Sequence, residues 1–201
     1  MRYFPLLLTM MFFLTGCQRA AAISAIPPIP AHLHDVTPIG GSSSEPWVAT
    51  DGRMQANFFG NQVSCRAVIR HLQGGEIRMA LISDEGVRLL DLSTTTTAPG
   101  FAMHAHAAGM ERVAPTVAYV IRHTWGPPSE ARIWEGHIQR GDTSDGTRWY
   151  GGTPPSLRLV TDGEVTITID DYQSFGDHLV AHRAQGESLT RTLTITLGRL
   201  Q

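Results

Sequence analysis

Two short stretches near the end of the chain decide the fold class. Residues 165–170 read VTITID and residues 193–197 read LTITL, so apolar and polar side chains alternate almost without interruption. A period of two places the apolar side chains on one face of a β-strand and the threonines on the other. Valine, isoleucine and threonine also fit a pleated, half-buried surface well. Both stretches therefore predict strands of a sheet that buries one face.

The same alternation runs through the preceding hundred residues. Residues 63–70, 77–81, 87–92 and 101–105 alternate in the same way, and glycine-containing turns such as Gly74-Gly75 separate them. Strands at 8–12-residue spacing are typical of antiparallel sheets and barrels. The sequence predicts a mainly β fold, an antiparallel meander of about ten to eleven strands, in which Ile133 to Arg140 forms one strand.

One segment breaks this rhythm and predicts a helix. Val117, Ile121 and Trp125 recur at four-residue spacing, and Gly126-Pro127-Pro128 stops the pattern. Pro115 fits the first turn of a helix, where a backbone N–H is dispensable. We expect a helix that has Pro115 in its first turn and runs to Trp125, with Val113 and Val120 beside an apolar stripe that covers one face of the sheet.

The N-terminus predicts export and a lipid anchor. Arg2 precedes an apolar run that is too short for a mature membrane span, which is the pattern of a secretory signal. The run ends in Leu14-Thr15-Gly16-Cys17, which looks like the lipobox of bacterial lipoproteins. In that class the signal is removed and the cysteine carries acyl groups such as palmitate. We expect residues 1–16 to be the signal peptide and Cys17 to be the lipid anchor.

The remaining chain divides into a tether and a domain. Residues 17–46 are rich in Ala, Pro, Gly and Ser, a composition that is typical of a flexible tether. Residues 47–201 carry the strand pattern and predict one β domain. Gln18 follows the anchor, and the absence of Asp at this position indicates the outer membrane in enteric lipoproteins. The expected localisation is therefore the periplasmic face of the bacterial outer membrane, with the membrane as a partner through the acyl groups.

Composition excludes several classes of protein. The 201 residues carry 16 basic residues, all arginine, and 18 acidic ones, a net charge of −2. This balance argues against nucleic acid as a partner, since nucleic-acid-binding proteins present a concentrated basic stripe. Two cysteines cannot build a disulfide scaffold or a four-thiolate zinc site. Cys65 lies in an alternating apolar run, so we expect it to be a buried structural thiol.

No catalytic motif marks the chain as an enzyme. The sequence contains no Gly-x-Ser-x-Gly elbow, phosphate loop, His-Glu-x-x-His or Cys-x-x-Cys. His104 and His106 would share one face of a strand and could reach one metal ion, but they fall opposite Phe101 and Met103, on the face that we expect to be the outer one. We interpret them as surface histidines and expect no enzyme activity, no cofactor and no metal.

Together the lipobox, the tether, the meander, the single covering helix and the closing strands resemble the LolA/LolB proteins. The resemblance is carried by residues 63–92 and by residues 154–172 (PPSLRLVTDGEVTITIDDY) followed by residues 189–200 (LTRTLTITLGRL). It implies an unclosed β-barrel of about eleven strands, whose helical lid covers an apolar concavity that holds acyl chains. It also implies a role in carrying or receiving lipoproteins. The turns at residues 73–75 and 83–86 are shorter than the apolar-tipped loop of LolB, so we expect a divergent relative.

Two hypotheses about function follow. In the first, an apolar concavity binds or transfers an acylated ligand, either a lipid or a lipoprotein; in the second, the domain is a membrane-tethered module that binds an envelope protein and has a filled core. Arg191 is in phase with Leu193 and is placed either at a rim or beside a ligand's polar head. The candidate ligand-binding residues are the inward-facing ones: Val63, Ala67, Ile69, Ile77, Met79, Leu81, Phe101, Met103, Val165, Ile167, Ile169, Arg191, Leu193, Ile195 and Leu197.

Overall fold

The computed structural model describes residues 31–34, 36–38, 46–58, 60–95, 100–126, 132–144, 146–153 and 155–201. The predicted signal peptide, Cys17 and most of the tether lie outside these residues. The strands are β1 (Thr37–Pro38), β2 (Trp47–Phe58), β3 (Asn61–His71), β4 (Glu76–Ile82), β5 (Arg88–Thr95), β6 (Phe101–Ala105), β7 (Ile133–Glu135), β8 (Ile138–Thr143), β9 (Gly146–Gly151), β10 (Ser156–Thr161), β11 (Thr166–Phe175), β12 (His178–Ser188), β13 (Arg191–Thr196) and β14 (Arg199–Leu200). The helix α1 spans Met110–Trp125, and Ala31–Leu33 forms one 3-10 turn.

Twelve strands form one antiparallel sheet in the order β6-β5-β4-β3-β2-β13-β12-β11-β10-β9-β8-β7. In the described residues β6 and β7 are the two edges, so the sheet is not closed. The predicted class, a mainly β unclosed barrel with an inserted helix, is confirmed. The strand count is higher than predicted because Gly136, with φ 66°, turns the segment from Ile133 to Arg140 into a hairpin. The two-residue strands β1 and β14 are too short to show alternation.

The threonine-alternating stretches lie on either side of β12 and create a trough for the helix. Ile167 and Leu193 flank Gly186 in register, and Ile169 and Ile195 flank Ala184. Large side chains therefore stand on both sides of two small ones. A Cβ atom added to Gly186 would lie 2.8 Å from a Val120 methyl group. The absence of a side chain at Gly186 thus lets α1 approach the sheet closely.

The helix begins five residues before Pro115. Gly109, in a left-handed conformation with φ 88°, precedes Met110, so the expectation that Pro115 lies in the first turn was wrong. Pro115 lies inside α1, where it cannot donate the hydrogen bond to the carbonyl of Glu111. The stripe of buried residues continues through Val113 and Met110 to the N-terminus, and its burial against the sheet offsets this loss.

The concave face of β2 to β6 carries three rows of side chains that cross the strands. The rows are Trp47, His71, Ile77, Thr94 and Phe101, then Ala49, Ile69, Met79, Leu92 and Met103, then Gly52, Ala67, Leu81, Leu90 and Ala105. The helix packs across this face from β5 and β6 towards β12. The core is therefore the space between α1 and the concave face of the sheet.

Part of the predicted tether packs against the domain. Leu33 is buried in the main hydrophobic cluster, and Thr37–Pro38 pairs in parallel with the start of β12. The domain boundaries themselves stay a prediction. Among the described residues, α1 is the one long helix, and it is neither long nor apolar enough to cross a membrane.

Candidate functional site

The candidate site is the concave face beneath α1, where the structure brings most of the predicted residues together. Ten of them are buried in one hydrophobic cluster with the helix side chains, and Val63 and Val165 pack against its margin. The ten are Ala67, Ile69, Ile77, Met79, Leu81, Ile167, Ile169, Leu193, Ile195 and Leu197. The helix fills this face with Val113, Val117, Val120 and Ile121. Their role in ligand binding stays a prediction.

Phe101 and Met103 occupy the predicted face but are not enclosed. Met103 lies opposite Leu92, and Phe101 opposite Thr94, so both side chains continue the concave rows onto the edge strand β6. Phe101 is 39% exposed and Met103 is 43% exposed, whereas Leu92 and Thr94 are buried. The two residues therefore lie on the predicted face, but this face is not covered at β6. The apolar face reaches solvent at this corner because α1 runs away from it towards β12.

Arg191 lies at the opposite end of the strands. It pairs with Phe58 at the end of β2, whereas Phe101 is level with Trp47 at the start of β2. Its guanidinium Nη1 donates to Oγ1 of Thr116 on α1 over 3.3 Å. A cavity of about 280 Å³ adjoins both residues and reaches Val165 and Glu187. Arg191 is thus a rim residue that touches the covering helix.

The helix end is held by an aromatic group that the sequence analysis missed. Trp125 donates from Nε1 to the carbonyl of Ala181 over 2.9 Å and meets Trp47 edge-on at 6.4 Å between ring centroids. Trp47 in turn stacks on His71, at 5.6 Å and an interplanar angle of 10°. Burial lowers the pKa of His71, because the charged imidazolium is disfavoured away from water. Trp125 was predicted to face the sheet, but its partners are distant in sequence and left no local signal.

Arg158 is buried, although strict alternation with Leu157 and Leu159 would place its side chain on the outer face. The register of β9 and β10 shifts between Leu157 and Leu159, which inserts a bulge at this arginine. Its side chain is fully buried, with the guanidinium 5.1 Å from the ring centroid of Tyr172. Burial lowers the pKa of Arg158 and raises that of Tyr172. A one-residue bulge reverses the face of a side chain and cannot be seen in the alternation pattern.

Cys65 and the histidine pair behave as expected. Cys65 is a buried free thiol, and burial raises its pKa to about 11, so the reactive thiolate is scarce at neutral pH. His104 and His106 are exposed, with ring centroids 4.4 Å apart, and His106 Nε2 lies 2.8 Å from Asp91 Oδ2. The described residues contain no group of three or more His, Cys, Asp or Glu side chains able to hold a metal ion.

Comparison with solved structures identifies the fold. An outer membrane lipoprotein-sorting protein domain from Vibrio parahaemolyticus aligns with a TM-score of 0.52 at 11% identity, covering 80% of this chain and 86% of that one. A DUF1329 family protein from Desulfovibrio piger gives a TM-score of 0.50 at 8% identity, with the same coverage of 80% and 86%. A LolA superfamily protein from Nitrosomonas europaea aligns over 90% of this chain and 92% of that one, but its TM-score of 0.44 at 5% identity is too low to support a statement about the fold.

Sequence comparison finds no matching family model and no matching curated protein. At these identities the likeness to solved structures concerns the fold alone. The chain therefore has the fold of the lipoprotein-sorting domain and the DUF1329 protein, an open antiparallel sheet with a helix on its concave face, which agrees with the unclosed barrel and covering helix that the sequence predicted.

Proposed function

We propose that this protein is a lipid-anchored binding protein of the bacterial envelope, without enzyme activity, whose concave face takes up an acylated ligand. The ligand is the acyl chain of a lipid or of a lipoprotein. The observation that carries the proposal is the apolar face that continues from the buried rows under α1 to exposed Phe101 and Met103 at the open edge β6. Similarity of fold to a lipoprotein-sorting domain supports the same class of function.

Binding at this corner would be driven by removal of apolar surface from water. Phe101 and Met103 give an acyl chain a first contact, and Leu92 lies next to Met103 in the same row. Each buried methylene group contributes about 0.8 kcal/mol. A chain that follows the rows inward must displace side chains of α1, because the inner part of the face is already packed. Methionines at Met79 and Met103 adapt to such repacking, since the thioether side chain is unbranched.

The anchor belongs to the same proposal. Acylation at Cys17 would hold the domain on the periplasmic face of the outer membrane through its tether, with several acyl chains in the bilayer. Replacement of Cys17 by serine removes the thiol that accepts the lipid. We expect the Cys17→Ser protein to lose incorporation of radiolabelled palmitate and to leave the membrane fraction. Retention of the label by the variant would contradict the assignment.

Ligand binding on the concave face is tested with palmitate as the probe. The chain without residues 1–17 retains every described residue and is suitable for native mass spectrometry. We expect one palmitate per protein, and at least about tenfold weaker binding after Phe101→Glu, because a buried carboxylate repels the ligand and is costly to desolvate. Val87→Glu is the matched control, since Val87 is an exposed apolar residue in the turn before β5.

A second function is favoured by the packing itself. The ten buried residues leave the inner concave face filled, as in an ordinary core. A membrane-tethered module that binds an envelope protein needs no lipid cavity and fits this packing. Absence of a palmitate adduct, or equal adducts in Phe101→Glu and Val87→Glu, would favour this alternative.

A further inference from the structure

A groove of about 700 Å³ crosses the outer face of β3 to β6, on the side of the sheet away from α1. Its position follows from the register, because Arg70, Arg78, Ser93 and Ala102 form one row across the four strands. These residues alternate with the buried side chains of the concave rows and so face outward. The volume lies within the range of small-molecule sites. Met79, Leu92 and Met103 of the second concave row also border the groove. Its outward-facing row of Arg70, Arg78, Ser93 and Ala102 sets it apart from the function proposed for the concave face.

The rim of the groove carries an excess of positive charge. Arg70 and Arg78 stand directly opposite each other on β3 and β4, an arrangement of like charges that is unfavourable by itself. Glu76 neutralises Arg78 through two hydrogen bonds of 2.8 and 3.2 Å, and Asp91 lies 3.3 Å from Arg88. Arg70 has no acidic partner among the described residues. One guanidinium is thus left to meet an anion.

The floor beneath the arginines is apolar. Val68 and Ala80 are opposite each other in the next row of β3 and β4, and Ile82 follows on β4. All three are partly exposed, and Ala102 continues this surface onto the edge strand. An apolar floor with arginines at one end matches a molecule that has an anionic head and a hydrocarbon tail.

We infer that this groove binds one lipid molecule through a phosphate headgroup. The guanidinium group of Arg70 holds the phosphate oxygens, which arginine recognises in bidentate geometry, and Arg78 stays paired with Glu76 beside it. The hydrocarbon chain lies along Val68, Ala80 and Ile82 and is removed from water. Asp91 forms the far side of the groove and keeps a second anionic group away from Arg88. The expected ligand therefore carries one phosphate, at the end of the molecule that meets Arg70.

The test compares three probes on the chain without residues 1–17, by isothermal titration calorimetry below the critical micelle concentrations. Palmitoyl lysophosphatidic acid carries a phosphate monoester, palmitoyl lysophosphatidylcholine has the same chain with a zwitterionic head, and inorganic phosphate lacks the chain. In the Phe101→Glu protein, whose concave face should no longer take up a palmitoyl chain, we expect saturable one-to-one binding of the first probe. The other two probes should bind at least about tenfold more weakly, since a hydrogen bond to a charged group contributes about 1.5–3 kcal/mol.

Variants locate the binding on the outer face. Arg70→Gln should weaken binding of palmitoyl lysophosphatidic acid at least about tenfold, and Ala102→Trp should obstruct the groove from the exposed edge with a similar loss. Arg183→Gln is the matched control, because Arg183 is exposed, lies outside the groove and is 3.7 Å from Asp170. Phe101→Glu, on the concave face, should leave this affinity unchanged.

Three outcomes would overturn the inference. Both lysolipids contain a phosphate, so equal affinity for the two would remove the role of the net negative charge of the phosphate monoester. Equal binding of inorganic phosphate would reduce the groove to an ion site. Full affinity in Arg70→Gln together with loss in Phe101→Glu would move lipid binding to the concave face, where it would support the proposed function instead.

Discussion

Replacing Trp125 with alanine is expected to lower the free energy of unfolding by about 3–5 kcal/mol. Trp125 is only 6% exposed, and its indole donates a hydrogen bond to the carbonyl of Ala181. The substitution leaves a cavity beside Trp47 and an unpaired carbonyl on β12. It removes the contact that holds the C-terminal end of α1 on the sheet. Urea denaturation followed by circular dichroism measures the loss.

The matched control is the same substitution at Trp134, which is 64% exposed on the edge strand β7. Trp134→Ala should change the free energy of unfolding by no more than about 0.5 kcal/mol. Equal losses for Trp125→Ala and Trp134→Ala would contradict the packing of α1 described here. A selective loss would support a helix that is fixed at its C-terminal end and leaves the β6 corner uncovered.

Gly198→Ala is expected to be the other severe substitution, with a loss of about 3 kcal/mol or more. A Cβ atom at Gly198 would overlap the carbonyl oxygen of Thr50 and would lie 2.6 Å from the carbonyl carbon of Asp51. Both neighbours are backbone atoms, so no side-chain rotation can relieve the contact. Thermal unfolding of the purified protein, or its failure to accumulate in folded form, checks this expectation.

The clash at Gly198 is expected to be severe because Gly198 lies where the chain passes from β13 to β14 beside β2. β2 pairs with β13 along residues 53–58 and with β14 at Ala49 and Thr50, and the chain crosses between the two pairings at Gly198. β2 bulges at the same level, where Asp51 adopts φ 58°. The crossing joins the N-terminal and C-terminal halves of the sheet. Displacement there strains both halves.

Gly74→Ala provides the control for glycine replacement as such. Gly74 has φ 87° in the turn between β3 and β4, and nothing lies within 4 Å of an added Cβ atom. Alanine there incurs the strain of a left-handed conformation, about 1–2 kcal/mol, and no clash. If Gly198→Ala is no worse than Gly74→Ala, the close approach at the crossing is not what limits stability.

The strand pattern was predictable because period-two alternation is a local property of the sequence. Ile167, Ile169, Leu193 and Ile195 are buried as their alternation with threonine indicated. The start of α1 was not predictable from the rule that favours proline in a first turn, since tertiary burial of Met110 and Val113 extends the helix past Pro115. Here packing overrides a local preference.

The exposure of individual side chains was the other property that local sequence patterns could not predict. Phe101 and Met103 were assigned to the correct face, but their exposure depends on the path of α1 across the sheet. The burial of Arg158 was not predictable either, because a bulge is invisible in the alternation. The outer groove was likewise missed, because Arg70, Arg78 and Ser93 become neighbours only through the strand register.

The central claim is that the concave face under α1 takes up an acyl chain from the β6 corner. The chain without residues 1–17 contains four methionines, Met54, Met79, Met103 and Met110, and each gives one methyl signal when labelled with carbon-13. Met79 and Met103 share the row that reaches the corner. Titration of the Ala102→Trp protein, whose outer groove is obstructed, with palmitate in a nuclear magnetic resonance experiment should shift the Met103 and Met79 signals saturably. Shifts absent from both signals while palmitate is bound would contradict the claim.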